Sequence, residues 1–166
     1  AEGRPVFWLG ARGHHADIGG RTPGSAPPVS RSIEEEGVVS DNMRLMAGGR
    51  LLEEEARRVL TSGRYPCRNV DQNLADLKAQ IAANETGRRE LLKLVARQGL
   101  DVVTAYMRHV QDNAEEVIRE AIAGLRDGSF EYPMDIGQSI RVTLKIDKER
   151  REAVVDFTGT SAQHEL

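Results

Sequence analysis

A chain of 166 residues with 39% hydrophobic and 30% charged side chains can bury one sizeable core, or a core with a protruding element. Its formal net charge of −3, with both signs mixed along the chain, excludes the basic stripe of a nucleic-acid binder. No run approaches the roughly 18 apolar residues of a membrane span, no basic-then-apolar leader opens the sequence, and Cys67 has no disulfide partner, so a reducing, cytoplasmic setting is expected.

Pro5-Val6-Phe7-Trp8-Leu9-Gly10 is apolar and aromatic enough to place a buried strand over residues 5–12. A loop rich in Gly, Pro and Ser follows over residues 13–32, and loops beyond about 12–15 residues are usually functional or disordered. Ser30-Arg31-Ser32-Ile33-Glu34-Glu35-Glu36-Gly37 closes it, with room for a short helical turn ended by Gly37. Residues 38–46 read as extended and Gly48-Gly49 as a turn. Residues 51–60 carry charges and leucines at helical spacing, stopped by Ser62-Gly63.

Asp71 is placed to cap a long helix reaching Arg97, with Leu74, Leu77, Ile81, Leu91, Leu92 and Val95 on one face and Gly87 as a point of bending. After Gln98-Gly99 a second long helix spans residues 101–125. Its stripe is more regular: Val102, Val103, Tyr106, Met107, Val110, Ala114, Val117, Ile118, Ala121, Ile122 and Leu125. So short a link favours an antiparallel helical hairpin. Residues 127–139 hold turn formers and Pro133, residues 140–146 alternate, and residues 153–157 are strand-like, which predicts a β-hairpin around the charged residues 147–152.

The expected fold class is therefore α+β: a strand with a glycine-rich loop, a long antiparallel helical hairpin and a C-terminal β-hairpin. The parts fall at residues 1–50, 51–126 and 127–166. Both ends run straight into apparent core strands, so the chain is expected to be an internal piece of a larger protein.

The chemistry concentrates in Gly13-His14-His15-Ala16-Asp17-Ile18-Gly19-Gly20. Imidazole and carboxylate are the groups that bind borderline metals or move protons near neutral pH. His14 and Asp17, three apart, suit a metal site completed from elsewhere. The plainer alternative is that Asp17 ties a turn and the histidines bond to backbone. Gly19-Gly20 and Pro23-Gly24-Ser25 either present N–H groups to an anion or form ordinary tight turns. The sequence holds no P-loop or dinucleotide fingerprint. Glu34-Glu35-Glu36 and Glu53-Glu54-Glu55 read as solvated faces, and His109 as a boundary residue. Asp76, Gln80 and Asn84 recur every four residues and share one helical stripe, which is either exposed or, fully hydrogen-bonded, lines a site.

Arg12-Gly13-His14-His15-Ala16-Asp17-Ile18-Gly19-Gly20, with Thr22-Pro23-Gly24-Ser25, Pro27-Pro28, Ser30 and Glu35-Glu36-Gly37, resembles the hydantoinase B/oxoprolinase family. The likeness continues through Asn73-Leu74-Ala75-Asp76-Leu77-Lys78-Ala79-Gln80-Ile81-Ala82-Ala83-Asn84, Gly99-Leu100-Asp101-Val102-Val103, Ala105-Tyr106-Met107 and Asn113-Ala114-Glu115 to Asp156-Phe157-Thr158-Gly159-Thr160. Within that family it most resembles the 5-oxoprolinase type.

The resemblance implies an ATP-dependent cyclic-amide hydrolase opening 5-oxoproline or a hydantoin ring, and so a link to glutathione metabolism. It implies a hydantoinase A-type module, fused or separate, that binds ATP and phosphorylates the substrate. This chain would then act on the activated intermediate within an oligomer, and would be inactive alone. Neither nucleic acid nor membrane is an expected partner. The resemblance also implies a divalent metal (Zn, Mn or Mg) on His14 and Asp17. In metal-containing relatives two further ligands join them, but the later histidine position falls near Val39, and valine cannot ligate. Without a metal, His14 or His15 would act as general base with Asp17 as orienter, while Asp76, Gln80 and Asn84 hold substrate polar groups. The rival expectation is an interaction piece whose helical hairpin docks a partner module, with the chemistry elsewhere.

Overall fold

The computed structural model describes residues 5–25 and 27–163. His164 lies outside them. The chain divides into two compact units, one running to Lys93 and the other from Leu94, so that the boundary falls within a helix.

In the first unit a 3₁₀ turn at Ile33–Glu35 follows the long loop, as the Gly37 stop predicts. Strands β1 (Met46–Ala47) and β2 (Arg50–Leu51) then pair antiparallel. Gly48 and Gly49 make the two-residue turn between them with φ of 54° and 77°, values that favour glycine at both positions. Helix α1 (Glu53–Leu60) begins with three glutamates and ends with Arg57 and Arg58, the charge order its dipole favours. It buries Ala56 and Leu60 against Cys67 and Leu74, with Ile18, Val38, Met43, Leu45, Val70 and Leu77 around them. That cluster is the core of the unit.

Helix α2 (Val70–Gln98) is capped by Asn69, whose Oδ1 accepts the Gln72 N–H at 3.1 Å. Asp71, the expected cap, lies instead inside the first turn and pairs with Arg57 at 2.9 Å. The helix runs unbroken through Gly87.

Residues 5–12 form no strand. Apolar content does not by itself provide the neighbour a ladder needs, and residues 5–12 stay mostly exposed, approaching α2 at Leu9. Leu9 Cδ2 lies 2.8 Å from where a Cβ on Gly87 would stand, so the glycine is a notch for leucine rather than a bend. Trp8 stays 89% exposed.

The second unit joins α3 (Leu100–Gly124) to an antiparallel sheet ordered β3–β4–β5, with β3 at Gly128–Pro133, β4 at Ser139–Asp147 and β5 at Glu152–Asp156. The expected β-hairpin is β4–β5, in register Leu144↔Val155, and β3 adds a third strand with Phe130 opposite Val142. Helix α3 rests on β5 and β4. Arg119 ties them by donating to the carbonyl of Arg150 at 3.1 Å, and Arg151 pairs with Glu116. Of the stripe expected on α3, Val103 is buried, whereas Tyr106 and Val110 are 66% and 67% exposed. The packing partner of α3 in this unit is the sheet. The whole is an α+β fold, as expected.

Candidate active site

The site forms where the loop of residues 13–25 lies against the first half of α2. Spacings of three and four bring Asn73, Asp76 and Gln80 to one face of that helix. Leu9 sits at Gly87, Gly13 at Gln80, His15 at Asp76 and Asp17 at Asn73, so the chain descends the face antiparallel to the helix. Gly13 lies close to the helix: a Cβ there would stand 3.1 Å from Gln80 Nε2, close enough to make that side chain shift.

His15 donates from Nδ1 to Asp76 Oδ2 at 3.1 Å, the two side chains being 18% and 32% exposed. The hydrogen bond from His15, then one from Gln72 Nε2 to Asp76 Oδ1 at 2.9 Å, hold the Asp76 carboxyl below its ordinary range. An ionised carboxylate only accepts, so the proton of a neutral imidazole sits on Nδ1. The other ring nitrogen, Nε2, then carries a lone pair.

Asp17 has a different role. Burial pushes its carboxyl up, but the N–H groups of Gly24 and Gly19 and the Arg68 guanidinium outweigh that and hold it below the usual range. Gly19 N donates to Oδ1 at 2.8 Å and Gly24 N to Oδ2 at 2.9 Å. Arg68 Nη1 donates to both oxygens, at 3.1 and 2.9 Å. The same guanidinium reaches the carbonyls of Gly19 and Gly20. The anion that these loop N–H groups cradle is the chain's own carboxylate.

Around this knot Ser25 Oγ accepts the Ile18 N–H at 2.7 Å and donates to the Gly19 carbonyl at 2.9 Å. Gly20 N donates to the Tyr65 carbonyl at 3.0 Å. Gly19, at φ +96°, passes so close to Tyr65 that a Cβ would lie 2.1 Å from its carbonyl oxygen. No other residue fits. Asn73, only 2% exposed, donates from Nδ2 to the Asp17 carbonyl at 2.8 Å, and its Oδ1 has no partner among the described residues.

The structure thus joins His15, Asp76 and, through Gly13, Gln80. Asn84 is half-buried farther along the same face, and His14 is exposed. Among the described residues no group of three His, Cys, Asp or Glu side chains is placed to hold a metal ion. Both Asp17 oxygens are already committed to N–H donors and a cation, so the residues as arranged do not fit a divalent ion. Gln72, Asn73 and Arg68 are additions to the residues read from sequence. The first two adjoin the Asp76 stripe at helical spacing, whereas nothing local marks Arg68, 51 residues from its partner.

The family model for hydantoinase B/oxoprolinase matches residues 1–166. A 5-oxoprolinase from Dictyostelium discoideum is 40% identical over 98% of this chain and 13% of its own length. The caprolactamase subunit beta of Pseudomonas jessenii is 33% identical over 78% of this chain and 22% of its own. A crystal structure of the ATP-dependent caprolactamase from that organism superposes with a TM-score of 0.65 at 28% identity, covering 86% of this chain and 25% of that one. The overall fold is thus shared with that structure, and sequence similarity extends to the 5-oxoprolinases over nearly the whole chain. The chain belongs to the hydantoinase B/oxoprolinase family. It spans only 13–15% of the length of the 5-oxoprolinases of Dictyostelium discoideum and Arabidopsis thaliana.

Proposed function

We propose that this chain is part of an ATP-dependent cyclic-amide hydrolase that opens a phosphate-activated lactam or hydantoin ring, with His15 moving the proton. The observation that carries the reading is the His15–Asp76 pair, half-buried and held by Gln72 on a rigid helix. An amide carbon resists water; phosphorylation of its oxygen by a hydantoinase A-type module removes that resistance. Water then adds to the carbon while His15 Nε2 takes its proton, and the Asp76 carboxylate stabilises the imidazolium. As the C–N bond breaks, the imidazolium returns the proton to the ring nitrogen. The resulting acyl phosphate is hydrolysed to carboxylate and phosphate. Gln80 and Asn84, farther along the helix, hold the substrate's polar groups, and Asp17 acts at a distance by shaping the loop that carries His15. His14, exposed beside the pair, is the second candidate base. The protein acts in the cytoplasm as an oligomer with its ATP-binding partner.

The test is ATP-dependent ring opening of 5-oxoproline and of hydantoin by the full-length protein with its partner module. His15→Ala should lower turnover about 10²–10⁴-fold, and His14→Ala far less. Unchanged turnover in His15→Ala sinks the reading.

A second reading, compatible with the first, is that α3 docks a partner module. Its open apolar face, with Tyr106, Met107, Val110 and Val117 exposed, favours it. Loss of assembly on placing a charge in that face supports it.

A further inference from the structure

We propose that Arg68 is the resident cation of the motif loop, filling at Asp17 the place that the family resemblance assigns to a divalent metal. The inference goes beyond the ring-opening reading and stands whether or not His15 moves the proton.

Four oxygens converge on one guanidinium. Nη1 meets Asp17 Oδ1 and Oδ2 at 3.1 and 2.9 Å and the Gly19 carbonyl at 2.9 Å, while Nη2 meets the Gly20 carbonyl. Carboxylate and carbonyl oxygens are what a hard cation would take, but here a permanently charged planar fork uses them. A single carboxylate is balanced by a single positive charge. A divalent ion on Asp17 would have to evict the guanidinium or sit beside it as a like charge, and would also have to strip the N–H groups of Gly19 and Gly24 from the carboxylate.

The segment bearing Arg68 is fixed independently of that contact. Cys67 is buried in the core and its N–H donates to the Leu60 carbonyl at 2.9 Å, while Tyr65 accepts the Gly20 N–H at 3.0 Å. The absence of a usable ligand at Val39 and the commitment of Asp17 therefore have one explanation. In this chain the loop is closed by an arginine supplied from 51 residues away. Arg68 is a positioning residue: it holds the backbone that follows His15 in the loop.

The experiment uses the full-length protein, with divalent metals counted per chain by mass spectrometry and loop order read by amide hydrogen exchange over residues 13–25. Metals bound elsewhere appear in every variant, so the difference between proteins is what counts. Asp17→Asn is expected to keep the same metal content as wild type. Arg68→Ala is expected to speed loop exchange at least ~10-fold, with protection restored by millimolar methylguanidinium and not by Zn²⁺, Mn²⁺ or Mg²⁺. Arg68→Lys, a point charge without the fork, should restore protection only in part.

Loss of one metal equivalent in Asp17→Asn overturns the proposal, as does unchanged exchange in Arg68→Ala or protection restored by metal. Should Arg68→Ala fail to fold, the wild type decides. Loop exchange unaffected by a strong chelator supports a built-in cation, and a rise overturns it. Turnover of the His15 variant plays no part in these readouts, so the two proposals fail separately.

Discussion

The loop of residues 13–25 and the outer face of α3 are built on opposite principles. In the loop, Asp17, Ser25 and Arg68 spend their hydrogen bonds on one another and on the backbone of residues 17–24, and Asn73 adds its Nδ2 while its Oδ1 has no partner among the described residues. On α3, Tyr106, Met107, Val110 and Val117 stand at helical spacing and stay exposed. A polar knot satisfied internally keeps its shape without a partner, whereas a regular apolar stripe is most stable covered. The first region carries geometry, the second a surface for something else to cover.

The largest expected effect strikes the His15–Asp76 pair, which is made between side chains alone. Asp76→Asn keeps the size of the side chain and its bond from Gln72 but removes the charge opposite His15. Ring-opening turnover should fall about 10–10²-fold, with the melting temperature nearly unchanged. Equal activity in this variant would reduce Asp76 to a surface acceptor. Next come two glycines of the same loop. Gly19 and Gly24 adopt similar φ, +96° and +85°, yet a Cβ on Gly19 meets the Tyr65 carbonyl at 2.1 Å while one on Gly24 meets nothing within 4 Å. Gly24→Ala should cost only the left-handed backbone penalty, about 1–2 kcal/mol. Gly19→Ala adds a backbone collision and should cost at least about 3 kcal/mol. Denaturant titration of the two variants separates conformation from crowding.

What could be read from the sequence was periodic or local. Spacing of four put Asp76, Gln80 and Asn84 on one stripe, the Gly48-Gly49 pair marked a turn, and charges and leucines at helical spacing marked α1. The turn reading of Asp17 was also legible, since an Asp two residues before a glycine commonly accepts its N–H. Residues 5–12 were misjudged because a run such as Val6-Phe7-Trp8-Leu9 indicates an apolar surface without saying whether a strand or a helix groove receives it. Strand β3 was hidden by Gly128 and Pro133 at its ends, turn formers that outweighed the short alternation of Phe130, Glu131 and Tyr132. Asn69 and Asp71 are both good caps, and only the observed bond to Gln72 chooses between them. Arg68 had no sequence signal, because its partners are brought to it by the folding of α1 and the connector.

Acid sharpens the comparison, because the loop closes on a carboxylate held below its ordinary range, whereas the apolar face of α3 does not titrate. A depressed folded value means that Asp17 contributes stability fully above the unfolded carboxylate range and loses it as pH falls through the lower folded value. Wild type should therefore lose loop protection on the acid side of about pH 4. Asp17→Asn should already lack about 1–3 kcal/mol at neutral pH and show a flatter acid limb. A limb as steep as that of wild type would assign the acid sensitivity to other carboxylates.

The smallest effect on the fold is expected on α3, and it is the more informative for being small. Val110 is 67% exposed, so Val110→Asp removes little burial, and Asp is only a modestly poorer helix former than Val. Stability should change within about 0.5 kcal/mol, whereas a charge at the centre of a covered apolar face would be left without water or partner. If the face is covered in the assembled protein, Val110→Asp should weaken association with the partner module, read as a shift in sedimentation, while the His15–Asp76 chemistry of any complex still formed stays intact. Unaltered association would mean that the stripe is tolerated in water, and that the contrast between a self-satisfied loop and an unsatisfied helix reflects helix composition alone.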